Sequence, residues 1–240
     1  KTVYKELSVD DKFFPVKNAI NQMSRWKDQL ISPAEALKTP ARDTKGALAA
    51  KVYAAYEKKL KEAGAFDFDD LIYQTVILLS EHEDVREFYQ NKYKYLLVDE
   101  YQDTNEAQDR LFAFLSNGGN RFMVGDVKQS IYRFRQADPS IFREKLESWP
   151  LLPGGEARPR PEDGRPGENA MLALDANFRS APQVVAGINF IFEQLMTPAL
   201  GDTAYGDGQR LVCGAPGAYE GSVEAHFLPD DAAETDAQYI

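Results

Sequence analysis

Two short apolar runs that each end in acid constrain this chain more than any other feature. Residues 95–98 (YLLV) read as a buried strand that stops at two adjacent carboxylates, Asp99 and Glu100. Residues 122–124 (FMV) read as a second strand, running into Gly125, Asp126 and Gln129. Residues 105–116, between them, have helical spacing. Strand–acid–helix–strand is the order of a parallel α/β core. Open sheets of that class place ligand chemistry at the carboxyl ends of their strands. An Asp–Glu pair there can divide two tasks. One carboxylate holds Mg²⁺, and the other orients or deprotonates a water.

The chain has 240 residues, enough for one large domain or two small ones with a real core. No apolar run approaches the roughly 18 residues needed to span a bilayer. No secretory signal is visible, so no membrane partner is expected. The single cysteine, Cys213, excludes an internal disulfide and fits a reducing, cytoplasmic setting. His82 and His226 lie far apart and suggest no metal centre. A net charge of −10 argues against a generic nucleic-acid binder. The charge is uneven, however. Residues 121–135 hold Arg121, Lys128, Arg133 and Arg135 against one acid, Asp126. A basic segment on an acidic body can still follow a phosphate backbone locally.

Residues 1–64 read as a helical block. Val16, Ile20, Met23, Trp26 and Leu30 have helical spacing, and Ser32-Pro33 opens another helix with Glu35 in its first turn. Residues 47–63, rich in Ala, Lys and Glu, read as a surface helix. Residues 66–79 predict an amphipathic helix with Phe68, Leu71, Ile72 and Val76 on its apolar face. Asn105 and Gln108 form a capping-box pair ahead of a helix that buries Leu111, Phe112, Phe114 and Leu115. Residues 150–169 hold five prolines and four glycines and read as an exposed loop. Residues 171–174 then predict a strand. Ser180 is expected to cap a helix with Val184, Val185, Ile188, Ile191, Phe192 and Leu195 on one side. Residues 222–228 alternate as a half-buried strand, and residues 230–240 begin another helix.

Each motif alone has an ordinary reading. A DE pair is usually a solvated strand end, GDVKQS a turn, IYRFR an edge strand and NFRS a helix cap. Joined in this order and spacing, they resemble the superfamily 1 DNA helicases of the UvrD/Rep/PcrA type. LLVDEYQDTN (96–105) matches their Walker B segment. VGDVKQSIYRFRQA (124–137) matches their third motif and LDANFRS (174–180) their fourth. FDFDDLI (66–72) matches the re-entry into the first RecA-like domain after its insertion. Together with QRLVCGAP (209–216), these segments are most similar to the AddA branch, the helicase–nuclease subunits of bacterial AddAB recombination complexes. The resemblance covers nearly all of residues 66–228, and residues 13–36 look like the helical 1B insertion.

The resemblance implies a fold and a set of roles. The fold is α/β, an incomplete RecA-like parallel sheet of the P-loop NTPase type. Residues 1–64 are the helical insertion and 65–149 part of the first RecA-like domain. Residues 150–169 are the loop, and 170–240 start a second RecA-like unit. Asp99 matches the carboxylate that holds Mg²⁺ on ATP, and Glu100 the residue that activates the attacking water. Gln129 matches the glutamine that senses the γ-phosphate. Arg179 matches an arginine reaching that phosphate from the second unit, and Phe178 the aromatic that stacks on adenine. Tyr132, Phe134 and Arg135 match residues that meet single-stranded DNA. Stacking platforms suit sequence-independent tracking, at about 1–3 kcal/mol per base. The implied partners are single-stranded DNA, duplex ends and a second, AddB-like subunit. The implied task is 3′ to 5′ translocation and unwinding in double-strand-break repair.

Some of the pattern is missing. No G-x-x-x-x-G-K-[ST] occurs; KGALAAK (45–51) and SNGGNRF (116–122) lack its second glycine and Lys-Ser/Thr. The later arginine-bearing motifs and the nuclease carboxylate–lysine signature are also not found. With Lys1 at its start, the chain is expected to be an internal piece of a longer protein, with no appreciable ATPase by itself. Two alternatives stay open. One is a free-standing, P-loop-less module that binds DNA or a partner. The other is a helicase of the same superfamily outside the AddA branch.

Overall fold

A computed structural model describes residues 2–41, 43–130, 136–152, 169–197, 199, 205–206, 209–214 and 220–224. The fold is mixed α/β, mostly helical, with two short parallel strand pairs. The chain forms two compact units. One takes the described residues up to Pro150 with Asn169, and the other takes Leu151, Leu152 and those from Ala170 onward.

The first unit opens with four helices: α1 (Thr2–Glu6), α2 (Val16–Asp28), α3 (Pro33–Lys38) and α4 (Thr44–Ala63). Local sequence explains their ends. The Glu35 N–H donates to Ser32 Oγ and the Ser32 N–H donates to Glu35 Oε2, a full capping box with Pro33 at the first position. Asp43 caps α4 through the Gly46 N–H, and Gly64 ends it in the left-handed conformation. The core of this block is Val3, Tyr4, Phe14, Ala19, Met23, Ala36, Ala49, Ala50, Val52 and Tyr53. The expectation of a surface helix over 47–63 is therefore corrected: α4 is the central helix of the block. Alanine carries a weak hydrophobic signal but permits close approach. Ala49 and Ala50 let neighbouring helices near, and Tyr53, fully buried, stacks on Trp26 at 5.6 Å.

α5 (Phe68–Glu81) follows, with Asp67 and Asp70 as its capping box. Its predicted apolar face holds at Val76, with Ile72 half-buried, and is corrected at Phe68 and Leu71. Phe68 is 90% exposed and Leu71 is exposed, while Asp70, Tyr73, Val76 and Leu79 are buried. The buried face combines Tyr73, Val76 and Leu79 with a buried ion cluster. Lys27 of α2 is buried, with Nζ 2.8 Å from each of Glu57, Asp67 and Asp70. That cluster draws Asp70 inward.

α6 (Glu83–Lys92) leads to β1 (Leu96–Val98). α7 (Glu106–Leu115) connects β1 to β2 (Arg121–Met123), and α8 (Pro139–Ser148) closes the unit. The strands pair in parallel, Leu96 with Arg121, Leu97 with Phe122 and Val98 with Met123. The strand read over 95–98 forms at 96–98, and its reading as buried is corrected. Leu97 is 74% exposed and its register partner Phe122 is exposed too, whereas Leu96, Val98 and Met123 are partly buried. Side chains alternate across a strand, and one face of this pair is open. The Asn105–Gln108 capping box forms as read. Leu111, Phe112, Phe114 and Leu115 are only half-buried, and Ala107 is the residue of α7 that is fully enclosed.

The second unit pairs β3 (Ala176–Asn177) with β4 (Val212–Cys213) in parallel, beside α9 (Pro182–Leu195). Within the stretch read as a strand over 171–174, Met171 makes one isolated bridge to Leu151; the strand lies at 176–177. Ser180 does not cap α9, whose N-cap is Ala181 without a side-chain hydrogen bond. The Ser180 N–H is instead held by Asn177 Oδ1. Val185 and Asn189 are the buried residues of α9, and Ile191 and Leu195 are exposed. Asn189 is buried because its amide pairs with both backbone groups of Leu211 and with the Tyr205 hydroxyl. Residues 222–224 form no strand, and residues 225–240 lie outside the described residues.

Candidate active site

The chain reverses immediately after β1. Glu100 takes the left-handed conformation (φ 51°, ψ 41°), unusual for a residue other than glycine. A 3₁₀ turn, Tyr101–Asp103, follows. Two contacts hold this reversal. The Tyr101 N–H donates to Val124 O (2.9 Å), and the Glu100 N–H donates to Asp99 Oδ1 (2.9 Å). Tyr101 anchors the turn from below. Its ring is fully buried, edge-on to Phe142 at 5.5 Å with the Lys145 ammonium 5.3 Å from its centroid. Its hydroxyl donates to Asp109. Burial, reinforced by that bond, pushes the Tyr101 hydroxyl well above the ordinary tyrosine range.

Gln102 is the link that sequence reasoning missed. It is buried, with both ends of its amide engaged. Nε2 donates to Glu100 Oε2 (2.6 Å), and Oε1 accepts from the Asp126 N–H (2.9 Å). Asp126 in turn accepts from Gln129 Nε2 (3.0 Å) and pairs with the Lys128 ammonium at 2.8 Å. Burial alone would raise the Asp126 carboxyl. The hydrogen bonds from Lys128 and Gln129 outweigh it and hold the group below the usual carboxylate range. The line Glu100–Gln102–Asp126–Gln129 thus joins the ends of both strands. Gly125 makes the line possible, because a Cβ there would sit 2.6 Å from Gln102 Oε1 and 3.0 Å from the Phe142 ring. Nothing in the spacing of YQD announces that its glutamine bridges two motifs. The only signal is a polar residue in a turn that must be buried.

Three of the predicted site residues, Asp99, Glu100 and Gln129, are therefore brought to one end of the strand pair. All three are exposed. Asp99 and Glu100 present hard oxygen donors of the type Mg²⁺ takes, so the residues fit the ion. A second carboxylate cluster, Glu57, Asp67 and Asp70, could by spacing hold a cation, but the Lys27 ammonium already sits among the three. Tyr132, Phe134 and Arg135 lie outside the described residues. Phe178 and Arg179 belong to the second unit. There Asn177 Oδ1 accepts from the Arg179 and Ser180 N–H groups (2.9 and 2.8 Å), a turn that holds the backbone of the NFRS motif. Phe178 is 68% exposed and lies against Gly214, where a Cβ would meet its ring at 2.5 Å.

The model of the UvrD/REP helicase N-terminal domain matches residues 1–150, which include this whole acid turn. The chain belongs to that helicase family. Its curated relatives bear out the likeness to the AddA branch. An ATP-dependent helicase/nuclease subunit of Streptococcus suis (strain 98HAH33) is 46% identical over 159 residues, covering 66% of this chain and 12% of the relative. The exonuclease/helicase subunit RexA of Streptococcus pneumoniae serotype 4 is 43% identical over 158 residues, with the same coverage of both chains. The ATP-dependent helicase/nuclease relative from Streptococcus agalactiae serotype Ia is 41% identical over 160 residues, 67% of this chain. This UvrD/REP-family chain spans about 12% of the length of these relatives. The free-standing binding module is not favoured by these matches. Among the described residues, no helix is long and apolar enough to cross a membrane.

Proposed function

We propose that this chain is part of an ATP-dependent helicase/nuclease subunit, and that the acid turn is its ATP-hydrolysis site. The observation that carries this reading is the Glu100–Gln102–Asp126–Gln129 line at the ends of two parallel strands. Phosphoryl transfer needs positioning and charge stabilisation rather than covalent chemistry. Asp99 would hold Mg²⁺, which would supply charge neutralisation on the phosphates. Glu100, oriented by Gln102, accepts a proton from the attacking water. Gln129 faces the γ-phosphate and is steadied by Asp126. Arg179 takes the role of the arginine on that phosphate, and Phe178 that of the aromatic stacked on adenine. An arginine in that role contributes about 10³–10⁵ in rate.

The reading extends to the rest of the chain. Residues 65–149 are part of a first RecA-like domain, 1–64 its helical insertion and 170–240 the start of a second. Tyr132, Phe134 and Arg135 contact single-stranded DNA. The intact protein works in the cytoplasm with an AddB-like subunit. It translocates 3′ to 5′ and unwinds broken ends for recombinational repair.

The test is DNA-stimulated ATP turnover by the full-length gene product and its Glu100→Gln variant. The variant is expected to lose at least a hundredfold in kcat while binding Mg-ATP as tightly as the parent. The 240-residue chain, without a phosphate-binding loop, is expected to show no turnover. Robust hydrolysis by the chain alone, or a full-rate Glu100→Gln enzyme, would defeat the assignment.

A further inference from the structure

Asp28 is a residue out of place by local rules. It ends α2, where a carboxylate opposes the helix dipole, and it is partly buried. Burial, aided by the neighbouring Asp69, pushes its carboxyl up to about 6. Local stability would be better served by a neutral side chain. What the acid makes instead is a contact 77 residues away, accepting at Oδ1 from Asn105 Nδ2 (2.8 Å). Asn105 is where the acid turn ends and α7 begins. Its other amide atom, Oδ1, caps α7 through the Gln108 N–H (2.9 Å). Directly before it, Thr104 is buried and closes the 3₁₀ turn, its N–H donating to Tyr101 O (3.2 Å) and its carbonyl accepting from the Asp138 N–H (3.0 Å).

We propose that Asp28 is a positioning residue for the acid turn, acting from the helical block through Asn105. The inference rests on the ATPase reading of Asp99 and Glu100. Asn105 fixes the downstream end of the segment whose upstream end is Glu100. Releasing it lets the turn and Gln102 shift, and sub-ångström placement of an activating carboxylate is what kcat responds to. A residue disfavoured for local stability that makes a long-range contact instead is the pattern expected where function overrides packing.

Two measurements test it. In the full-length protein, Asp28→Ala is expected to lower kcat for DNA-stimulated ATP hydrolysis about tenfold with KM for ATP within about twofold. Asp28→Asn, which keeps an oxygen for Asn105 Nδ2, is expected to retain most of the activity. In the 240-residue chain, amide exchange over residues 100–108 is expected to quicken at least fivefold in Asp28→Ala and not in Asp28→Asn. An unchanged kcat in Asp28→Ala overturns the proposal, as does equal loss in both variants. So does a kcat loss that merely follows a lowered melting temperature. If the parent protein hydrolyses no ATP, the site reading falls and the exchange result alone decides. Faster exchange confined to Asp28→Ala then upholds the positioning contact, and unchanged exchange removes it.

Discussion

Single atoms decide the geometry of the acid turn. Gly125 has no side chain, and that absence admits the Gln102 amide between the two strand ends. Gly125→Ala would place a Cβ 2.6 Å from Gln102 Oε1 and 3.2 Å from the Gln102 backbone nitrogen. The backbone atom cannot swing away, so the amide must. The Asp126 N–H then loses its acceptor and Glu100 its orienting donor. The expected cost is about 1–3 kcal/mol, read as a lower urea midpoint with an unchanged slope. A midpoint equal to the parent's would mean that Gln102 is not held as described. Gly125 and Asp126 stand out in the sequence as a turn, and Asp99 and Glu100 as a strand end. The role of Gln102 does not, because one of its partners, Asp126, lies 24 residues away and only the strand pairing brings it near.

At the scale of elements, electrostatics help set faces that hydrophobic periodicity misreads. α2, α4 and α5 meet around one ammonium, Lys27, which is 1% exposed. Desolvation works against its charge, but the hydrogen bonds to Asp67, Asp70 and Glu57 more than restore it, so Lys27 remains protonated above the ordinary lysine range. Lys27→Met would leave three carboxylates together without their cation. Breaking a buried pair from one side costs about 3–5 kcal/mol. A large fall in the melting temperature is the expected result, partly recovered by adding Asp70→Asn. A Lys27→Met chain as stable as the parent would show that the cluster is solvated. α5 shows why the sequence misleads here. FDFDDLI places Phe68 and Leu71 at apolar spacing, yet both face outward, because the helix buries Tyr73, Val76 and Leu79 together with Asp70, which bonds Lys27.

For the molecule as a whole, these groups shape how stability depends on pH. Asp28 is raised from 3.8 to about 6, so the folded chain binds this proton more tightly than the unfolded one. Its contribution is full below about pH 4 and is lost as pH rises through about 6. Asp126 has the opposite sign: its folded value is lowered, so its contribution holds at neutral pH and is lost in acid. Asp28→Asn removes the first loss. The variant is expected to be more stable than the parent by about 1–2 kcal/mol at pH 8, discounted for partial solvation, and no more stable at pH 4. Thermal melts at the two pH values check this. A gain of equal size at both would show that Asp28 titrates normally.

The sequence by itself determined the parts that depend on near neighbours. The capping box at Asn105, the helix start at Ser32-Pro33 and the strand–acid–helix–strand order follow from contacts within a few residues. The motif order was likewise enough to place the chain in its helicase family, because residue identity at fixed spacing carries that information. Only the tertiary structure decided which face of each helix is buried, that α4 is central to its block, and that one face of the β1–β2 pair is open. It alone joined Gln102 to Asp126 and Asp28 to Asn105. The physical reason is common to all of these. Burial and polar pairing depend on what a distant segment supplies, and neither helical periodicity nor strand alternation holds that information.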